Sequence, residues 1–193
     1  MLQSGELREF LARDLPGALA TARQPATQNG NAQKAPDDTV QDGAPANAKA
    51  AGGEGTRPVL QDADAVVNAE SIQLVAAYLR DRHGYNYLSH LLATDYILDG
   101  LIEVLYQFYN LEGGGPQNVR VRVPRDQAVI PSLAPEWPGA NLQERHAYDL
   151  YGVDFPGHPY LRRIYMWDEF QGHPMRKDFP KTGDKYTHVV GEE

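Results

Sequence analysis

Residues 21–57 hold no Leu, Ile, Phe, Tyr, Trp or Met, and their one valine is Val40. Nine of these 37 residues are Ala, five are Gly and three are Pro. Ordering a chain costs about 1–2 kcal/mol per residue, and a stretch this poor in apolar side chains has nothing to offset it. The segment therefore reads as a flexible linker or insertion, used either as a tether or as a surface loop that the fold tolerates. Any core must be built from residues 1–20 and from residue 58 onward. At 193 residues that leaves room for one domain. The same segment accounts for a hydrophobic content of 41% and a mean hydropathy of -0.54.

Charge and composition exclude several classes. With 18 basic and 26 acidic residues the chain carries a net charge of -8, which repels polyphosphate, so no nucleic-acid partner is expected. There is no cysteine, which removes disulfides, zinc ribbons, thiolate-held iron–sulfur clusters and a cysteine nucleophile. No run approaches the roughly 18 apolar residues of a membrane span. The first residues carry Glu6, Glu9 and Asp14 without an apolar stretch and do not read as a signal peptide. The expectation is a soluble, acidic, cytoplasmic-type protein.

Periodicity supplies the elements. Leu7, Phe10, Leu11 and Leu15 recur at helical spacing ahead of Pro16-Gly17. Residues 62–67 read as a short strand. Asn68 is the expected N-cap of a helix over 70–82, with Ile72, Val75, Ala76 and Leu79 on one face and Gly84 past its end. Residues 85–97 and 101–110 read as strands, and 119–124 as a third, half-exposed one. The glycine run within 112–116 leads from strand to strand rather than into a helix, so it reads as a hairpin loop and not a phosphate cradle. Asn141 with Glu144 resembles a capping box opening a helix over 142–151. That helix carries Arg145 and Asp149 at i,i+4, and Gly152 stops it.

After Gly152, Pro156, Pro159, Pro174 and Pro180 rule out a continuous helix or central strand. An extended tail over 153–193 is expected. It nonetheless holds Phe155, Leu161, Ile164, Tyr165, Met166, Trp167, Phe170, Met175 and Phe179, an apolar load that calls for a partner surface. Gly157-His158-Pro159 and Gly172-His173-Pro174 repeat 15 residues apart, each followed closely by a basic pair, Arg162-Arg163 and Arg176-Lys177. Over 141–181 six bases face six acids. Two uses fit equally: recognition of an acidic partner, or internal pairing that fixes the path of the tail. His146, His158 and His173 lack the spacing of a preformed metal site. No nucleophile elbow, phosphate loop, dinucleotide turn or zinc-protease helix occurs.

The run from Glu144 to Val153, Glu-Arg-His-Ala-Tyr-Asp-Leu-Tyr-Gly-Val, resembles the Glu-Arg-Glu-x-x-Asp-hydrophobic-hydrophobic-Gly signature of the 30 kDa (C or J chain) subunit family of respiratory complex I. The resemblance continues through His158-Pro159, Leu161-Arg162-Arg163-Ile164 and Gly172-His173-Pro174. It ends in Arg176-Lys177-Asp178-Phe179-Pro180 and covers about residues 62–180, including Thr94-Asp95-Tyr96. His146 stands where the family has a second Glu, and Met175 where it has Leu.

The resemblance implies an α+β domain, a mixed sheet with helices packed on it, in a peripheral-arm subunit of a proton-translocating NADH-quinone oxidoreductase. It implies no cofactor in this chain, with FMN, iron–sulfur clusters and the quinone pocket in other subunits. The implied partners are the large hydrogenase-like (49 kDa, D-type) subunit and other peripheral-arm chains, at the cytoplasmic side of the cell membrane. Glu144, Arg145, Asp149, Gly152, His158, Pro159, Arg162, Arg163, Gly172, His173, Pro174, Arg176, Lys177 and Asp178 become the expected signature and partner-binding residues. Two alternatives stay open: the same role in a complex with another electron donor, and a free-standing enzyme using the His/Asp/Arg cluster for acid–base chemistry.

Overall fold

The computed structural model describes residues 4–20 and 64–180. The expected linker over 21–57, the domain start at residue 58 and residues 181–193 of the tail lie outside the described residues.

Helix α1 (Ser4–Asp14) buries Leu7 and Leu11, one turn apart, completely. The chain then turns and pairs with the edge of β1 (Ala65–Val67) through an antiparallel bridge between Leu19 and Val67. Ala20 N–H donates to Val66 O at 3.0 Å, and Asn68 N–H to Ala18 O at 2.8 Å. The Asn68 side chain donates to Gly17 O at 3.0 Å instead of capping a helix. The expected N-cap is thus corrected: a short 3-10 turn over Ala69–Ser71 intervenes, and α2 runs Ile72–His83. Ile72, Val75, Ala76 and Leu79 are its buried face, as its spacing predicts.

Strands β2 (Tyr87–Tyr96), β3 (Leu101–Tyr109) and β4 (Gln117–Pro124) are antiparallel neighbours, and β1 lies parallel to β4. The order β1-β4-β3-β2 makes the sheet mixed. Ile102, Val104, Tyr106 and Phe108 share the core face with Val119, Val121 and Val123. The opposite face of β4 is not half-exposed as read. Arg120 and Arg122, 12% and 18% exposed, bracket the buried Glu103 at 2.6 and 2.8 Å, and Arg120 also holds Asp64. A strand whose alternate positions carry paired ions keeps its period of two while losing exposure. The glycine run lies in the β3–β4 hairpin loop.

Beyond β4, Trp137 packs edge-on against Phe108, with ring centroids 5.1 Å apart. Helix α3 (Ala140–Tyr151) then lies over edge strand β2, where Gln143 Oε1 accepts the Leu91 N–H just past a bulge. Residues 130 and 132 bond to Asp154 O and Pro156 O, which steers the chain back alongside α3.

Ala20 and Val66 are hydrogen-bonded neighbours, so the chain that leaves the sheet edge at residue 20 returns to the same place. Replacing residues 21–61 with about six Gly and Ser residues is expected to leave the fold intact. Nearly three halvings of loop length, at about 0.6 kcal/mol each, favour the short loop by about 1–2 kcal/mol. Thermal unfolding checks this; a midpoint lowered by roughly 10 °C would mean that the removed residues pack on the core.

Candidate functional site

An α-helix leaves its last four carbonyls without intrahelical donors. At the end of α3 all four are taken, three of them by the segment that follows. Tyr148 O accepts the Gly152 N–H at 3.0 Å in a left-handed turn. Asp149 O accepts from Arg163 Nη1 at 3.1 Å and His173 Nδ1 at 3.0 Å. Leu150 O accepts the Met175 N–H at 3.1 Å. Tyr151 O accepts from Arg176 Nε at 2.6 Å. Two guanidinium groups therefore sit on the negative end of the helix dipole, where cations are favoured.

The Asp149 carboxylate is fully buried. Its Oδ1 accepts from Arg163 at 2.8 Å, and its Oδ2 from three successive backbone N–H groups, Ile164, Tyr165 and Met166, at 3.0, 2.7 and 3.0 Å. Burial raises the pKa of this group, but the three amides and Arg163 outweigh it and hold it below the usual carboxylate range. The expected i,i+4 pairing of Arg145 with Asp149 is corrected, because that carboxylate turns inward to the amide nest. Arg145 instead donates to Arg162 O and Arg163 O at 3.1 and 3.3 Å.

A second anchor holds the end of the segment. Arg125 grips buried Asp95 with two hydrogen bonds, at 2.7 and 3.0 Å, and also binds Asp178. The backbone N–H of Lys177 donates to Asp95 at 2.8 Å. Burial raises the Asp95 pKa, yet Arg125 and the Lys177 amide bring it below its ordinary value. Sequence reasoning missed Arg125 and Asp95 as site residues. The available signal was a carboxylate in period-two phase with Leu91 and Ala93 along an expected strand.

Glu144 is no capping residue. The helix opens at Ala140 with Gly139 as its cap, and Glu144 is buried. It accepts from Ser132 Oγ at 2.6 Å and the Leu133 N–H at 2.7 Å. Burial pushes its pKa up to about 7, against the opposite pull of those donors. The sign follows from linkage. The protonated form fits the fold better, so Glu144 stabilises most below its ordinary 4.5, and that contribution is lost as pH rises through about 7. The difference amounts to about 3 kcal/mol. Glu144→Gln, which is neutral at every pH, is expected to gain on the wild type between pH 5 and pH 8; an equal Tm difference at both would refute the assignment.

The two Gly-His-Pro turns are not structural copies. His158 Nδ1 accepts the Tyr160 N–H at 2.9 Å, so Nε2 carries the proton and donates to Asn141 O at 3.1 Å, in the first turn of α3. His173 donates through Nδ1 to Asp149 O in the last turn, and burial lowers its pKa. One turn holds each end of the same helix. Gly172 O accepts from Arg163 Nη2 at 3.1 Å. Among the described residues, no three His, Asp or Glu side chains converge as a metal site requires.

The outer side of the segment differs. Tyr160, Ile164, Tyr165, Trp167 and Met175 are 37–63% exposed. Arg162 stacks on the Tyr160 ring at 4.5 Å, and Trp167 packs edge-on against Phe170 at 4.9 Å.

Residues 65–185, which include this whole segment, match the model of the respiratory-chain NADH dehydrogenase 30 kDa subunit. The chain belongs to that family. The homologous NADH-quinone oxidoreductase subunit from Moorella thermoacetica is 45% identical over 114 residues, 59% of this chain and 77% of that protein. The corresponding subunit from Roseiflexus sp. is 38% identical over 135 residues, covering 68% and 78%. Among solved structures, the membrane-bound sulfane sulfur reductase, an archaeal respiratory membrane complex, matches with a TM-score of 0.52 and 27% identity over 61% of this chain and 71% of that one. Among the described residues, no helix is long and apolar enough to cross a membrane.

Within the family signature, the structure divides the expected partner-binding residues. Glu144, Asp149, His158, Arg163, His173 and Arg176 commit their polar atoms inside the chain. Gly152 lies beneath the His173 ring, and Asp178 pairs with Arg125. Arg162, Pro159 and Lys177 are exposed, Pro174 is half-buried, and half-buried Arg145 reaches the ring of exposed Tyr160. Of the two uses left open for the tail's basic pairs, internal pairing holds for Arg163 and Arg176, which fix the inner side of residues 156–180 on α3. His146 meets Tyr165 edge-on at 5.5 Å.

Proposed function

We propose that this chain is a cofactor-free scaffolding subunit in the peripheral arm of a proton-translocating NADH-quinone oxidoreductase. In this reading it holds the large hydrogenase-like subunit near the quinone-reducing region, on the cytoplasmic side of the cell membrane. The supporting observation is the two-sided C-terminal segment. His158, Arg163, His173 and Arg176 are committed to α3, while its aromatic side faces out along the stretch that the family match spans. Such a surface suits a permanent interface with a larger chain. FMN and iron–sulfur clusters belong to partner subunits in this reading, and the chain performs no chemistry alone. His158 supports that last point, because both ring nitrogens are engaged with backbone. The likeness to a sulfane sulfur reductase complex favours a second reading, in which the same scaffold serves a different electron-transfer pair.

The test is purification of the tagged chain from its native membranes. Co-purification with flavin, iron–sulfur absorbance and NADH-quinone turnover supports the proposal. The same assembly without NADH oxidation selects the second reading. A colourless monomer with turnover of its own overturns both.

A further inference from the structure

Of the four basic side chains that follow the two His-Pro turns, Arg163 and Arg176 hydrogen-bond within the chain, as described above. The Arg145–Arg162 pair is different. Both guanidinium groups approach the one ring of Tyr160, with centroid distances of 5.6 and 4.5 Å. Arg145 directs its hydrogen bonds to the carbonyls of residues 162 and 163. Among the described residues no carboxylate pairs with either one. This holds in a chain where acids outnumber bases by 26 to 18. The surroundings are apolar and open: Tyr160 is 55% exposed, Tyr165 63% and Leu142 61%. Leu142 lies one helical turn before Arg145 and His146 on α3, and His146 meets Tyr165, so the patch is continuous.

We propose that this patch docks an acidic segment of the partner subunit, with one carboxylate taking the Arg162 fork and an apolar side chain lying between Tyr160 and Leu142. The inference rests on the scaffolding reading and deepens it. Charge complementarity selects the occupant. Two unneutralised cations beside one ring attract a carboxylate, and a guanidinium held over an aromatic face loses little freedom when it binds bidentately. Arg and Tyr are also the residue types that carry most binding energy in interfaces.

The experiment uses the full chain in its native complex, tagged, as wild type, Arg162→Glu, Arg162→Ala and Arg162→Lys. The Arg162 guanidinium rests on the exposed Tyr160 ring, so the isolated variants should melt like the wild type. Arg162→Glu is expected to lower the co-purified partner fraction roughly tenfold or more, Arg162→Ala less, with partial retention for Arg162→Lys. Wild-type retention should also weaken as salt is raised. If the wild type assembles and Arg162→Glu assembles equally, the patch is not an acid-docking surface. If the wild type enters no complex, the scaffolding reading fails and this inference falls with it. If the isolated wild type self-associates and Arg162→Glu abolishes that, the occupant is a second copy of this chain and the proposal is overturned.

Discussion

Asp149→Ala is expected to cost about 3–5 kcal/mol and to release the C-terminal segment from α3. Removing this carboxylate leaves three backbone N–H groups without their acceptor and strips the half-buried Arg163 guanidinium of its counter-charge, although the Asp149 and Gly172 carbonyls still accept from it. For a domain of this size the midpoint should fall by roughly 10 °C or more. Asp149→Asn keeps the shape but not the charge and should recover only part of the loss. Limited proteolysis gives a second reading, because cleavage within 160–176 should quicken in both variants. Wild-type stability with an unchanged cleavage pattern would mean that the nest contributes nothing. The pH dependence has a definite sign. A carboxylate whose folded pKa is depressed stabilises above its ordinary 3.8 and loses that contribution as pH falls through the lowered value. Asp95 acts the same way, so the segment should detach on the acid side.

The second large effect lies at Gly152. Its φ of +71° is in the left-handed region that other residues occupy at a cost of about 1 kcal/mol. A Cβ there would meet the His173 ring at 2.5 Å and Arg176 Nη2 at 2.9 Å. Neither neighbour can retreat freely, since each is bonded to a carbonyl at the end of the helix. Gly152→Ala should therefore cost more than the backbone conformation alone, about 2–4 kcal/mol in urea unfolding. In a His173→Ala background the ring collision disappears and only the Arg176 contact remains, so the cost should shrink by about 1 kcal/mol or more. Equal costs in both backgrounds would show that the ring does not press on this position.

The strands were legible because β2 and β3 are rich in aromatic and aliphatic residues, because β4 alternates strictly, and because a glycine run that leads into another strand suits a hairpin. The buried faces of α1 and α2 were legible from 3.6-residue spacing. Asn68 misled because the side chain that suits a helix cap serves equally well to bind the carbonyls of a neighbouring strand. Glu144 misled in the same way. Three residues after Asn141 it has capping spacing, but Ser132 and the Leu133 amide, far back in the chain, claim its oxygens. The self-anchoring of the tail lay beyond periodicity altogether. Its acceptors are backbone carbonyls, which every sequence has, and its bridging ions, Asp95 and Asp178, are joined through Arg125 from three distant stretches. Charge balance alone could not separate internal pairing from partner recognition. The structure gives Arg163 to the first, and Arg162 to neither within the chain.

The paired histidine turns act as a caliper on α3. One jaw closes on Asn141 O and the other on Asp149 O, eight residues or about 12 Å further along the helix. One residue more or fewer between them would shift the far jaw by about 1.5 Å and swing it about 100° around the axis, so both could not close. Length variation among chains of this kind should therefore collect in the stretch between residues 20 and 64 or in the β3–β4 loop. The helix itself has its gauge set by the segment that wraps it.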